Sequence, residues 1–202
     1  MKLYFSPAAC SLAPHIVLRE SETPFTLEKV DTGKHLTQAG ADYYAINPKG
    51  QVPLLQLDDG SLLSEGPIIA QYIADKAKHT TLMPAAGSIE RYRVMEWQNY
   101  ITSELHKSYT PLFSSDLDAA AKKTLSALLR KKYEWVDSRL QGKDHLTGVA
   151  FTAADAYLFV VTGWAKFVAL DLSDLPNVQR FLKNVAARPA VQAAMKAEGL
   201  LS

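Results

Sequence analysis

The spacing of apolar residues changes character once along this 202-residue chain. In the first part, short strand-like runs alternate with helix-like ones, the pattern of an α/β layer rather than a bundle. The run KLYF, just after Met1, predicts a strand. In SLAPHIVLRE, Leu12, Ile16, Val17 and Leu18 fall at helix-compatible spacing, with Pro14 acceptable only in a first turn. FTLEKVD alternates with period two, as a half-buried strand does. LTQAGADYYAINPKG reads as loop and short helix, closed by the turn pairs Asn47-Pro48 and Lys49-Gly50. Two apolar runs flank Asp59-Gly60, a pair suited to positive φ, so QVPLLQLDDGSLLSE predicts a hairpin. A helix over GPIIAQYIADKAK completes the order β-α-β-α-β-β-α.

That order is compatible with a thioredoxin-like domain over 1–80. After HTTLMPAAGS, rich in small residues, Pro and Gly, only helical periodicity remains, so 87–202 is expected to form an all-helical C-terminal domain. The fold class is therefore α/β plus all-α. Helices are predicted within SIERYRVMEWQNYITSELHKSYTP, LDAAAKKTLSALLRKKYEWVDSRLQ, TAADAYLFVVTGWAKFVAL, LPNVQRFLKNVAARP and AVQAAMKAEG. Thr152, with Asp155 three residues on and Phe151 before it, has the form of an N-capping pair with a hydrophobic staple, a structural motif.

Composition narrows the functions. At 48% hydrophobic the chain can bury one large core or two modest ones. Its 22 basic and 21 acidic side chains leave a net charge of +1 with no long Lys/Arg run, which disfavours nucleic acid or a membrane surface as partner. The apolar run after Met1 is too short for a signal-peptide core, and no stretch approaches the ~18 apolar residues of a membrane span, so a cytoplasmic protein is expected. One cysteine, Cys10, excludes an internal disulfide, and five scattered histidines make no recognisable metal site, so no metal is expected.

Four stretches carry candidate chemistry. Cys10 lies after a strand and before a first helical turn, where unpaired N–H groups and the helix dipole favour an anion and lower a thiol pKa. The alternative is a small packed residue. The sequence CSLA lacks a second thiol, so any disulfide would be with an outside partner. Pro53 suits an ordinary strand start; were it cis, as in thioredoxin-like domains, Val52 would offer its N–H and C=O as a rung for a short extended peptide. Glu65 beside Gly66 at a strand-to-helix turn either answers the helix dipole or pairs with the charged ends of an amino acid. At about 100° per residue, Asn99, Ser103 and His106 gather opposite Trp97, Ile101 and Leu105, with Lys107 close to the same side. Such a face ordinarily meets water, but an imidazole near a thiol can shuttle its proton.

Together YFSPAACSLAPHI, NPKGQVPLL, DDGSLLSEGPII, EWQNYITSELHK and FTAADAYLF are similar, in order and spacing, to the signatures of the bacterial beta-class glutathione S-transferases. The resemblance spans essentially the whole chain. It implies a thioredoxin-like domain that holds glutathione as co-substrate, a helical domain supplying much of a pocket for a hydrophobic electrophile, and a homodimer. Cys10 matches a cysteine that sits beside the glutathione sulfur and forms a mixed disulfide with it. Val52 matches the residue whose main chain pairs with the cysteinyl part, before a cis-proline at Pro53, and Glu65 and Gly66 match the pair receiving the γ-glutamyl end. Asn99, Ser103, Glu104, His106 and Lys107 match helix positions lining the site, some across the dimer interface.

At position 35, where the family often has a lysine for the glycine end, this chain has His35 preceded by Lys34. That contact is expected to be weaker, pH-dependent or shifted to Lys34; the alternative is a solvated loop histidine. Phe113, Tyr157 and Trp164 are candidate pocket linings, with core packing as their alternative. The implied activity is detoxifying conjugation of glutathione to hydrophobic electrophiles, with Cys10 and His106 catalytic and Cys10 also able to run thiol–disulfide exchange. A non-catalytic ligand-binding or regulatory protein on the same fold is the competing reading. A monothiol glutaredoxin would leave the helical part unexplained.

Overall fold

Leu3, Tyr4 and Phe5 are buried, and they make β1 (Lys2–Phe5) the middle strand of a five-stranded sheet of order β3-β2-β1-β4-β5. The computed structural model describes residues 1–148 and 150–201. β2 (Thr26–Asp31) runs parallel to β1, with Leu3 opposite Leu27, and the crossover between them is α1 (Leu12–Glu20). β4 (Leu54–Gln56) and β5 (Leu62–Ser64) form the antiparallel hairpin, Leu55 opposite Leu63, turning through Gly60 at φ 84°. α2 (Gly66–Lys76) follows directly from β5.

The short helix expected between the second and third strands is absent. A two-residue strand, β3 (Leu36–Thr37), pairs antiparallel with β2 there, and turns replace the helix, with Ile46 and Asn47 N–H both donating to the Tyr43 carbonyl. The stretch between Gly40 and Asn47-Pro48 is too short to overcome the cost of helix nucleation. Burial of the Tyr43 ring anchors it instead.

The chain divides into two compact units, Met1–Met83 with the stretch from Ala187 onward, and Pro84–Ala186. The helical domain expected over 87–202 ends earlier, because α8 (Pro189–Ala197) packs on α1 of the first unit. Buried chemistry draws it there. His15, fully buried in α1, bonds through Nδ1 to Glu198 Oε1 at 2.9 Å, and Arg188 grips Glu20 through two bonds of 2.6 and 2.8 Å. Because Arg19 Nε donates to His15 Nε2 at 3.0 Å, the proton on the neutral ring sits on Nδ1 and points at Glu198.

The second unit is helical: α3 (Ile89–Tyr100), α4 (Lys107–Phe113), α5 (Ala119–Arg139), α6 (Ala153–Thr162) and α7 (Pro176–Ala186). The single long helix expected from Ile89 onward is interrupted by a π-helical segment, Ile101–His106, between α3 and α4. Ile101, Leu105, Tyr109, Tyr133 and Phe181 are fully buried here. The predicted cap of α6 is present. Asp155, fully buried, accepts from Thr152 N–H and hydroxyl through Oδ2 and from Leu146 N–H through Oδ1, at 2.7 to 2.8 Å. Burial pushes its pKa up while these donors pull it back. Among the described residues no helix is long and apolar enough to cross a membrane.

Candidate functional site

In the first unit, Cys10 occupies the turn between β1 and α1, half-buried and two residues before the helix starts. The turn is held from both sides. Ser6 N–H donates to Ser11 Oγ, which donates back to Ser6 O, both at 3.2 Å, and Ala8, left-handed at φ 61°, donates its N–H to Glu198 Oε2. This fixes the thiol, whose Sγ donates to the Val52 carbonyl at 3.3 Å. The Val52–Pro53 peptide bond is cis.

The loop before Val52 is tied down by buried groups. Tyr43 hydroxyl and Asn47 Nδ2 both donate to the Gln51 carbonyl, at 2.9 and 2.7 Å, and burial pushes the Tyr43 pKa up to about 12. On the far side of the cis-proline lies the start of α2: a Cβ on Gly66 would sit 3.6 Å from Pro53 Cγ. Glu65, the residue before the helix, has φ 71° and ψ 108° and makes no cap with its side chain. Its Oε1 instead accepts from Lys49 Nζ at 2.8 Å, and Lys49 also reaches Ser64 Oγ at 3.2 Å. Cys10, Val52, Pro53, Glu65 and Gly66 therefore lie along one continuous run of contacts. In the sequence Lys49 reads as a turn residue, and no local pattern joins it to a carboxylate sixteen positions on.

His35 is not a solvated loop histidine. It is left-handed at φ 54°, its ring stacks 4.2 Å from that of Tyr44, and Nε2 bonds to the Tyr44 hydroxyl at 3.0 Å. Its Nδ1 is buried without a partner, and a Cβ on Gly50 would approach it to 2.9 Å and Tyr44 Cε1 to 2.6 Å, so only glycine fits there. Lys34 is exposed, its Nζ 4.0 Å from Asp31 Oδ2.

In the second unit the polar positions drawn from regular helical spacing divide, with Asn99, Ser103 and Lys107 exposed and His106 half-buried. The i→i+5 bonding of the π segment changes the angular step, and such segments are frequent at functional sites. Asn99, Ser103 and Lys107 stay exposed, with Ser103 Oγ donating to the Asn99 carbonyl at 3.1 Å. His106 turns to different neighbours: its Nδ1 lies 2.6 Å from the Tyr157 hydroxyl and its ring stands edge-on to Trp164 at 4.7 Å. Phe113, half-exposed, meets the same indole at 6.2 Å, so the three aromatic candidates and His106 form one cluster. Glu104 is taken up by Lys132, which contacts both its carboxylate and its carbonyl at 2.9 Å; the hydrogen bond from Lys132 is the main reason its pKa is lowered. Among the described residues no three His, Cys, Asp or Glu side chains are grouped to hold a metal ion.

Comparison with known proteins gives the same picture over the whole chain. Residues 8–76 match the family described as Glutathione S-transferase, N-terminal domain, and residues 98–189 match its C-terminal domain. Glutathione S-transferase GstA of Escherichia coli O157:H7 is 50% identical over 200 residues, which cover 99% of this chain and 100% of that one. Among solved structures, a sphingomonad glutathione S-transferase complexed with glutathione is 44% identical with a TM-score of 0.95, covering 100% of both chains. The bacterial beta-class enzyme of Sphingomonas chungbukensis is 43% identical, also with a TM-score of 0.95 and full coverage of both. Two family matches in order along one chain, with identity of this level over the full length, show that it belongs to the bacterial beta-class glutathione S-transferases.

Proposed function

We propose that the protein binds glutathione in its first unit and joins it, through its sulfur, to hydrophobic electrophiles. The observation that carries this reading is the thiol of Cys10 at 3.3 Å from the carbonyl of Val52, next to a cis-proline. An extended tripeptide laid antiparallel to Val52 pairs its cysteinyl main chain there, which brings its sulfur beside Cys10 at the start of α1. Its γ-glutamyl end reaches Glu65 and Gly66. His35, with Tyr44, faces the glycine end. The His106, Phe113, Tyr157 and Trp164 cluster supplies apolar surface for the acceptor, and Asn99, Ser103, Glu104 and Lys107 serve a site completed by a second copy of the chain.

Two chemistries follow. In conjugation the glutathione thiolate attacks the electrophilic carbon, the bond to the leaving group breaks, and the thiol proton departs with that group as HX; His106 is the proposed proton carrier. In exchange, the Cys10 thiolate attacks a disulfide of glutathione with a second thiol, forming a Cys10–glutathione disulfide and releasing that thiol. A glutathione thiolate then attacks the mixed disulfide, restoring Cys10 and releasing glutathione disulfide. A lone reactive thiol fits a reducing, cytoplasmic setting.

Retention on immobilised glutathione, followed by turnover of a generic aromatic halide, tests the reading. Both are expected. Cys10→Ala should abolish exchange and only moderately reduce conjugation, whereas equal loss of both would contradict the division. Failure to be retained and failure to turn over would favour the non-catalytic binding reading.

A further inference from the structure

We infer that Glu198, oriented by His15, is a positioning residue for the Cys10 thiol: it holds Ala8 left-handed and so sets the direction in which Sγ meets the sulfur of a ligand. This rests on the exchange reading of Cys10 above. The turn before α1 contains one residue in an unfavourable conformation. Ala8 sits at φ 61°, which a residue with a Cβ keeps only where its surroundings enforce it. Its N–H donates at 3.2 Å to Oε2 of Glu198, a carboxylate 190 positions along the chain. Two residues after Ala8 comes Cys10, its Sγ on the Val52 carbonyl. Ala9 N–H donates to the Ser6 carbonyl and Leu12 N–H to the Ala9 carbonyl, at 3.1 and 3.0 Å. These bonds tie the segment together, so a change of backbone angle at Ala8 is carried to Cys10.

Glu198 is itself held in place. It caps the C-terminal end of α8, its N–H donating to the Ala194 carbonyl, and Gly199 at φ 73° closes the helix with Leu200 N–H on the Met195 carbonyl at 2.9 Å. Its side chain and that of His15 are fully buried. Both groups facing the carboxylate are donors. Ala8 N–H meets Oε2, and His15 Nδ1–H meets Oε1 at 2.9 Å, the other ring nitrogen being taken up by Arg19 Nε. Only a side chain that accepts at both ends satisfies them; a glutamine there accepts from one and turns its own NH2 against the other. In the exchange reaction the Cys10 thiolate attacks one sulfur of glutathione disulfide. The S–S bond breaks, a Cys10–glutathione bond forms, and the second glutathione leaves as its thiolate. The three sulfurs must line up, so the direction of Sγ governs this step. Alkylation by iodoacetamide, a small reagent that needs no docking, requires only an accessible thiolate.

Rates of Cys10 modification by glutathione disulfide and by iodoacetamide, followed by mass spectrometry on the full chain, test the role. Glu198→Gln should slow the glutathione disulfide reaction by about tenfold and leave alkylation within about twofold. Adding Ala8→Gly to Glu198→Gln should recover most of the loss, because glycine takes a positive φ without being held there. His15→Leu, which leaves the carboxylate but removes its orienting donor, should slow the same reaction by about threefold. Should Glu198→Gln not fold, His15→Leu with and without Ala8→Gly carries the same comparison. If the ratio of the two rates is unchanged in the variant, or Ala8→Gly restores nothing, the positioning role is overturned and the reading of Cys10 stands. If the wild type forms no glutathione adduct on Cys10, both are overturned.

Discussion

Asp155 and Glu65 each stand at the start of a helix, and they are opposites. Asp155, in the first turn of α6, is fully buried, and its two oxygens accept from Leu146 N–H, Thr152 N–H and the Thr152 hydroxyl. Glu65, just before α2, is exposed, held in a strained left-handed conformation, and bonded to a lysine rather than to its own helix. The same functional group thus does two jobs. Where donors of the adjacent backbone saturate the carboxylate, it closes a helix and fixes a core; where the backbone turns it away from its helix, it stays exposed and pairs with a lysine instead. Helix dipoles favour an acid in both places, so position alone does not separate the roles, but hydrogen-bond partners do.

Removing each group should break the comparison in a different observable. Asp155→Ala orphans three buried donors and is expected to cost about 3 kcal/mol or more of stability, read as a large drop in thermal or urea midpoint. Gly50→Ala should cost about 2 kcal/mol by the same measurement, because a Cβ would collide with Tyr44 and His35 at φ 64°. Glu65→Gln should leave the unfolding midpoint nearly unchanged yet weaken glutathione binding by about tenfold, measured by calorimetry. Tyr157→Phe removes the partner of His106 Nδ1 and should lower conjugation kcat by about threefold with KM for glutathione unchanged, moving the pH profile of kcat.

The smallest effect is expected at Asp58, whose pKa falls to about 2 through bonds from the N-terminal ammonium and Lys76. A folded value below the ordinary carboxyl value of 3.8 means its contribution is present above that pH and lost as pH falls toward 2. Asp58→Asn should therefore flatten the acid limb of stability only slightly, since the pair is exposed and screened.

What could be read from sequence was local. The β4–β5 turn at Asp59-Gly60, the Thr152–Asp155 cap and the thiol at the start of α1 each depend on residues a few positions apart, and each lies where its spacing placed it. What could not be read depends on distant pairing. His15 looks like one more member of an apolar helix until Glu198, 183 residues away, arrives to bind it. Lys49 looks like a turn residue until β5 delivers Glu65. The π segment at Ile101–His106 is not legible because a regular 3.6-residue period fits its apolar residues equally well; the i→i+5 bonding that changes the step, and the turn of His106 toward Tyr157 and Trp164, belong to the fold.

The claim that Glu65 and Cys10 engage the γ-glutamyl end and the central sulfur of one glutathione is tested most directly by mass spectrometry after brief exposure to limiting glutathione disulfide. The account predicts a single glutathione adduct on Cys10 of the wild type, reversed by excess glutathione, and a markedly slower adduct in Glu65→Gln at unchanged fold. No adduct on the wild type, or equal rates in the two proteins, would contradict it.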